Sequence, residues 1–111
     1  MAAQMFDETY YDSYMAHAPM ETHSAVAAFE QGKLTVWAGT QTPFPLKSQL
    51  QAALKLPAEA VRVITPYVGG GFGGKSASQQ AIEAARLAAA AGTPVRVVWN
   101  RAEEFFFDTF R

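Results

Sequence analysis

The run Gly69-Gly70-Gly71-Phe72-Gly73-Gly74-Lys75-Ser76 restricts this chain more than any other segment. Five of its first six residues are glycine. Each glycine costs about 0.5–1 kcal/mol relative to alanine in regular structure, so five together are not a mere connection. The run follows the β-branched stretch Val61-Arg62-Val63-Ile64-Thr65 and precedes an alanine-rich segment that reads as a helix. A strand, a glycine loop and a helix in that order predict exposed N–H groups at a helix N-terminus, suited to an anion such as a phosphate.

With 111 residues the chain is expected to form one domain, residues 1–111. Half of the residues are hydrophobic, enough for a core and too many for disorder. Nine basic residues against ten acidic ones leave no electrostatic footprint for nucleic acid. The absence of cysteine excludes disulfides, thiolate zinc sites and cysteine-ligated iron–sulfur clusters within the chain. No apolar stretch is long enough to predict a membrane span, and the N-terminus has no secretory pattern, so the expected location is cytoplasmic.

Residues 1–22 carry Met5, Phe6, Tyr10, Tyr11, Tyr14 and Met15 without periodicity and read as an arm. A strand is predicted over His23 to Glu30, a tight turn at Gln31-Gly32, and a second strand over Lys33 to Ala38, where Leu34, Val36 and Ala38 share one face. A helix follows Thr42-Pro43-Phe44-Pro45 with Pro45 near its first position; Leu46, Leu50, Ala53 and Leu54 line its apolar side and Pro57 ends it. Val61 to Thr65 forms the third strand, Ala77 to Ala91 the second helix, closed by Gly92 and Pro94, and Val95 to Trp99 the fourth strand. Asn100-Arg101-Ala102-Glu103 has the spacing of a capping box, so residues 101–111 open a further helix, with Phe105, Phe106, Phe107 and Phe110 too apolar for a free tail. The pattern is an α+β two-layer sandwich, ββαβαβ, with a mixed four-stranded sheet and two helices on one face. The aromatic ends point to neighbouring domains in a larger subunit.

Several motifs overlap in the glycine run. Gly69 to Ser76 satisfies the P-loop pattern, with Lys75 for phosphates and Ser76 for Mg²⁺, yet the next strand ends without an acid for the metal's water shell. Gly69, Gly71 and Gly74 satisfy a dinucleotide loop, again without the acid that would take a ribose hydroxyl. A structural or interaction domain with a vestigial loop is a further alternative.

Three other segments stand in order around the loop: Ala16-His17-Ala18-Pro19-Met20-Glu21-Thr22-His23, Thr40-Gln41, and Arg101-Ala102-Glu103-Glu104-Phe105. Together with Gly69–Lys75 they resemble the molybdopterin-binding subunit of the xanthine dehydrogenase and aldehyde oxidoreductase family, over about Tyr11 to Phe105. That resemblance implies a cofactor-binding domain of an oxidoreductase that hydroxylates aldehydes or heteroaromatic carbons with oxygen from water. It also implies molybdopterin as cofactor, iron–sulfur clusters on a separate domain or subunit, and partner subunits that complete the enzyme. By the same likeness Gln41 hydrogen-bonds an oxo ligand of molybdenum, and Gly70, Gly71, Phe72 and Gly73 line the metal site, their N–H groups facing cofactor oxygens. The side-chain amide of Gln41 suits that task because it donates without ionising; read alone, Gln41 is a polar residue at a strand end.

The family's general base is a glutamate far downstream, and no acid here matches it, so no catalytic residue is expected in this chain and the chain alone is expected to be inactive. Glu103 and Glu104 read as ordinary acids of a helix start. His17 and His23, with Glu21 between them, read as groups that dock the arm rather than metal ligands. Lys75 either neutralises a carboxylate or caps the loop. In purine-oxidising members an acid follows that lysine; Ser76 stands here, which favours an aldehyde or another heteroaromatic substrate.

Overall fold

The computed structural model describes residues 3–109. β1 (Ser24–Glu30), β2 (Lys33–Ala38), β3 (Val61–Ile64) and β4 (Val95–Val98) form one sheet in the order β3-β2-β1-β4. β1 is antiparallel to both β2 and β4, and β2 is parallel to β3, so the sheet is mixed as the pattern predicts. β1 and β2 meet through a two-residue turn in which Gln31 (φ 51°) and Gly32 (φ 74°) are both left-handed, the turn that matches the twist of a hairpin.

Two helices cover one face. α1 (Pro43–Leu54) packs on β3, and α2 (Gln79–Ala91) lies over β1 and β4. Between them and the sheet are Ala25 and Ala27, Leu34, Val36 and Ala38, Val61, Leu46 and Leu50, and Ala81, Ala84, Ala85 and Ala88, all buried. The alanines of α2 let it approach the sheet closely, and its carbonyl end is closed by Gly92 at φ 66°. On the opposite face the register aligns Ile64, Trp37, Val26 and Arg96 in one row across the four strands, with no layer of the described residues over it.

Both helices depart from the expected bounds. α1 starts two residues early, with Thr42 as N-cap and Pro43 rather than Pro45 at the first position. The Thr42 carbonyl accepts the first helical bond from Leu46 N–H (3.0 Å), and each proline is tolerated because first-turn N–H groups have no partner within the helix. α2 starts two residues late. A separate 3₁₀ turn, Gly74–Ser76, stands between the loop and the helix. Ser78 occupies the N-cap of α2 but spends its hydroxyl on Thr40 Oγ1 (2.9 Å) instead of capping.

α3 (Arg101–Phe106) begins with a complete capping box: Glu103 N–H donates to Asn100 Oδ1 (2.9 Å) and Asn100 N–H to Glu103 Oε2 (2.8 Å). Phe107 stacks on Trp99, with centroids 4.8 Å apart, and meets Phe106 edge-on. Phe110 lies outside the described residues. The arm carries Met5, Phe6, Tyr10, Tyr11 and Tyr14 exposed, and it joins the domain from Ala16 onward. Among the described residues no helix is long and apolar enough to cross a membrane.

Candidate functional site

The strand directions gather the four segments singled out in the sequence at one end of the sheet. β2 and β3 are parallel, β4 runs with them, and β1 runs against them. The residues after Ala38, after Ile64 and after Val98 therefore emerge beside the residues before Ser24. Ligand sites of α/β sheets form at such carboxyl ends.

Gln41 meets the glycine loop there. Its N–H donates to the Lys75 carbonyl (2.9 Å), and its Oε1 accepts from Gly73 N–H (3.0 Å) and Lys75 N–H (3.2 Å). Both partners of the side chain are donors, so the oxygen must face them and the Nε2 amide group must face away. Gly71 is glycine because Gln41 lies across it: a Cβ on Gly71 would sit 2.5 Å from Gln41 Oε1. Gly70 (φ 93°) and Gly73 (φ 106°) hold left-handed conformations. Phe72 adopts φ 55°, an unfavourable state for an aromatic residue, and remains 66% exposed at the tip of the loop. With Met15, Ala16 and His17 it lines a shallow depression.

Fewer N–H groups of the loop are open than the sequence predicts. Gly69 N–H goes to Glu21, Gly73 and Lys75 N–H to Gln41, Gly74 N–H to the Gly71 carbonyl (2.8 Å), and Ser76 N–H to the Gly73 carbonyl (3.2 Å). Gly73, expected to offer its N–H to a cofactor, has that N–H engaged by Gln41. Among the described residues the N–H groups of Gly70, Gly71 and Phe72 have no acceptor in the protein. Together with Gln41 Nε2 they make a set of donors without acceptors, which fits a group rich in oxygen.

Lys75 does neutralise a carboxylate. It is fully buried, and its Nζ donates to Glu21 Oε2 at 2.7 Å. Burial acts to raise the Glu21 carboxyl, but the hydrogen bonds from Lys75 and Gly69 N–H and the nearby Lys75 charge outweigh it and hold the group below the usual carboxylate range. An ammonium enclosed in this way does not reach a ligand phosphate, and the 3₁₀ turn separates the loop from α2, so the P-loop arrangement does not form.

Two histidine–carboxylate clamps dock the arm. His17 N–H donates to Asp108 Oδ2 (2.8 Å) and His17 Nδ1 lies 2.6 Å from Oδ1. His23 N–H donates to Glu104 Oε2 (2.7 Å) and His23 Nδ1 lies 2.7 Å from Oε1. The remaining His23 nitrogen, Nε2, donates to the Gly74 carbonyl (3.1 Å), since a carbonyl can only accept. Burial acts to raise the Asp108 carboxyl, and the bonds from His17 more than offset it, so this group too lies below the usual range. Glu103 is the helix-start acid the sequence predicts, but Glu104 is a buried partner of His23, 81 residues away in sequence. Nothing local marks that pairing. Among the described residues no group of three or more His, Cys, Asp or Glu residues is placed to hold a metal ion.

The whole length, residues 1–111, matches the model of the molybdopterin cofactor-binding domain. The chain is 41% identical over 101 residues to the aldehyde oxidoreductase molybdenum-binding subunit PaoC of Escherichia coli K12, covering 90% of this chain and 14% of that protein. It is 37% identical over 100 residues to a probable xanthine dehydrogenase subunit of Bacillus subtilis, covering 89% of this chain and 13% of the relative. Among solved structures, quinoline 2-oxidoreductase from Pseudomonas putida 86 superposes with a TM-score of 0.82 at 33% identity, covering 87% of this chain and 13% of that one. The chain thus spans about a seventh of the length of the curated relatives it matches.

Proposed function

Because the chain belongs to the molybdopterin cofactor-binding domain family, we propose that the loop 70–73 and Gln41 form one wall of a molybdopterin site in an oxidoreductase acting on aldehydes or heteroaromatic carbons. The observation that carries it is the outward donor set: Gln41 Nε2, fixed by the two N–H bonds to Oε1, beside the unengaged N–H groups of Gly70, Gly71 and Phe72. The missing side chain at Gly71 lets Gln41 lie across the loop and keeps its amide beside these N–H groups. When bound, molybdopterin supplies the two-electron chemistry of the oxidation. The residues of this chain hold and orient it: Gln41 donates to a cofactor oxygen, the three N–H groups add further donors, and Phe72 screens the site from water.

Ser76, exposed at the position where the resemblance places an acid in purine oxidisers, supports an aldehyde or another heteroaromatic carbon as substrate. The base that activates the attacking oxygen, the remaining cofactor contacts and the iron–sulfur clusters belong to other domains or subunits, in the cytoplasm. The absence of cysteine in this chain and its share of its relatives' length support that division. In the complete enzyme Gln41→Ala is expected to lower kcat more than it raises KM. An unchanged kcat would remove Gln41 from the site.

A further inference from the structure

Glu21 stands outside the donor set, yet its carboxylate joins the two ends of the glycine loop. Oε2 accepts from Gly69 N–H and from Lys75 Nζ, both at 2.7 Å. Glu21 N–H donates to the Gly69 carbonyl (3.2 Å), so residue 69 is held on both its polar groups. The fit is tight at Gly69, where a Cβ would lie 2.6 Å from Glu21 Cβ, and Gly39, just after β2, packs within ordinary contact of the same carboxylate. Three segments therefore close on one side chain.

Lys75 carries the connection onward. Its side chain is fully buried against Glu21, while its backbone N–H and carbonyl are both spent on Gln41. Moving the Lys75 side chain moves the backbone atoms that aim Gln41. Removing the carboxylate leaves a buried ammonium without its partner, and such a group relaxes toward water. At the loop tip the N–H groups of residues 70 to 72 have no protein acceptor, and the bonds that hold residues 73 to 76 run through Gln41, His23, Thr42 and the loop's own backbone.

We infer that Glu21 is a positioning residue for the cofactor site: through Lys75 it sets where Gln41 Nε2 and the loop donors point. The inference rests on the cofactor reading for its function, but not for its geometry. The arm that supplies Glu21 is thus part of the site's construction.

Amide hydrogen exchange of the full chain, without cofactor, tests the geometry. In Glu21→Gln the Gly73 and Lys75 amides, the two donors to Gln41, are expected to exchange at least about tenfold faster, while Ala27 and Val36 amides in the sheet keep their rates. Lys75→Met should give the same pattern, and Glu83→Gln, on the outward side of α2, should change nothing at the loop. If Glu21→Gln does not fold, Glu21→Asp, too short to span both Gly69 and Lys75, takes its place with the same expectation. Unchanged loop amides overturn the inference. So does a rise shared equally by loop and sheet, which would make the pair a general stabiliser.

In the assembled enzyme Glu21→Gln should lower kcat about tenfold with KM within about twofold, the mark of an interaction lost in the transition state. Local loosening of the loop with an unchanged kcat overturns the positioning role. If Gln41→Ala also leaves kcat and molybdopterin content unchanged, the cofactor reading itself has failed, and the exchange result still decides whether Glu21 positions Gln41 through Lys75.

Discussion

Gln41 and Lys75 are bonded twice in opposite senses: the Gln41 N–H donates to the Lys75 carbonyl and the Lys75 N–H donates to Gln41 Oε1. The pair resembles two rungs of a ladder, with a side-chain oxygen standing in for one carbonyl. Gln41 therefore has two separable tasks, acceptor toward the loop and donor outward. Gln41→Glu keeps the acceptor and deletes the donor. Its stability in urea is expected to stay within about 1 kcal/mol of the parent, whereas Gln41→Ala leaves two loop N–H groups unpaired and costs about 1–3 kcal/mol. In the assembled enzyme both variants should lose kcat. Full activity in Gln41→Glu would show that the outward amide does nothing.

The glycines divide by what a methyl group would meet. Gly71→Ala pushes against Gln41 Oε1 at 2.5 Å, while Gly92→Ala meets nothing within 4 Å and suffers only its φ of 66°. Gly92→Ala is expected to cost about 1 kcal/mol and to leave cofactor content intact. Gly71→Ala should displace Gln41 from its two N–H bonds, cost about 1–3 kcal/mol and reduce cofactor content in the assembled enzyme. Cofactor content left intact in Gly71→Ala would show that the packing of Gln41 on Gly71 has no functional meaning.

Acid should loosen the arm and the loop together. Glu21 and Asp108 have folded-state pKa values below their usual ones, about 4.3 and 3.9. A depressed carboxyl contributes stability that is complete above its unfolded value and is lost as pH falls through the folded one. The urea midpoint is therefore expected to hold between pH 6 and about 5 and to fall below about pH 4. Glu21→Gln should start lower at neutral pH and show a shallower acid decline. Parallel curves for parent and variant would mean the Glu21 carboxylate has no such linkage.

ATP with Mg²⁺ gives a direct check on the motif written across residues 69–76. Lys75 is committed to Glu21 inside the protein, so calorimetric titration of the chain is expected to show no saturable heat. Binding that disappears in Lys75→Ala would reinstate a phosphate loop.

The 111-residue chain offered an aldehyde and an artificial electron acceptor is expected to show no turnover, because the N–H groups of the loop and the Gln41 amide are donors and none can take a proton from water. Measurable oxidation by the pure chain would relocate the missing base into this domain.

What the sequence disclosed was what neighbouring residues decide. The alternation of Leu34, Val36 and Ala38, the Gln31-Gly32 turn, Gly92 after the alanine helix and the Asn100–Glu103 box are all set within a few positions, and each forms as predicted. The resemblance likewise placed Gln41 beside the loop. Three matters stayed hidden because their causes are distant. The sequence allowed Lys75 to neutralise a carboxylate, but nothing local pointed to Glu21, 54 residues earlier. Glu104 looks like a helix-start acid until His23 folds onto it. Ser78 would cap α2 if Thr40 did not take its hydroxyl. The prolines of α1 misled for a local reason: Pro43 and Pro45 both suit a first turn, and only the Leu46 to Thr42 bond decides between them.

The clamps impose an order in time. His17 waits for Asp108, 91 residues later, and His23 for Glu104, 81 residues later. A chain growing from the ribosome can complete its hairpin, its helices and most of its sheet while the arm is still unanchored. The loop receives its last brace, from His23 to Gly74, only after α3 has emerged. The glycine loop therefore reaches its final form only after residue 104 has been made, and a product stopped before Glu104 carries the loop without the His23 brace.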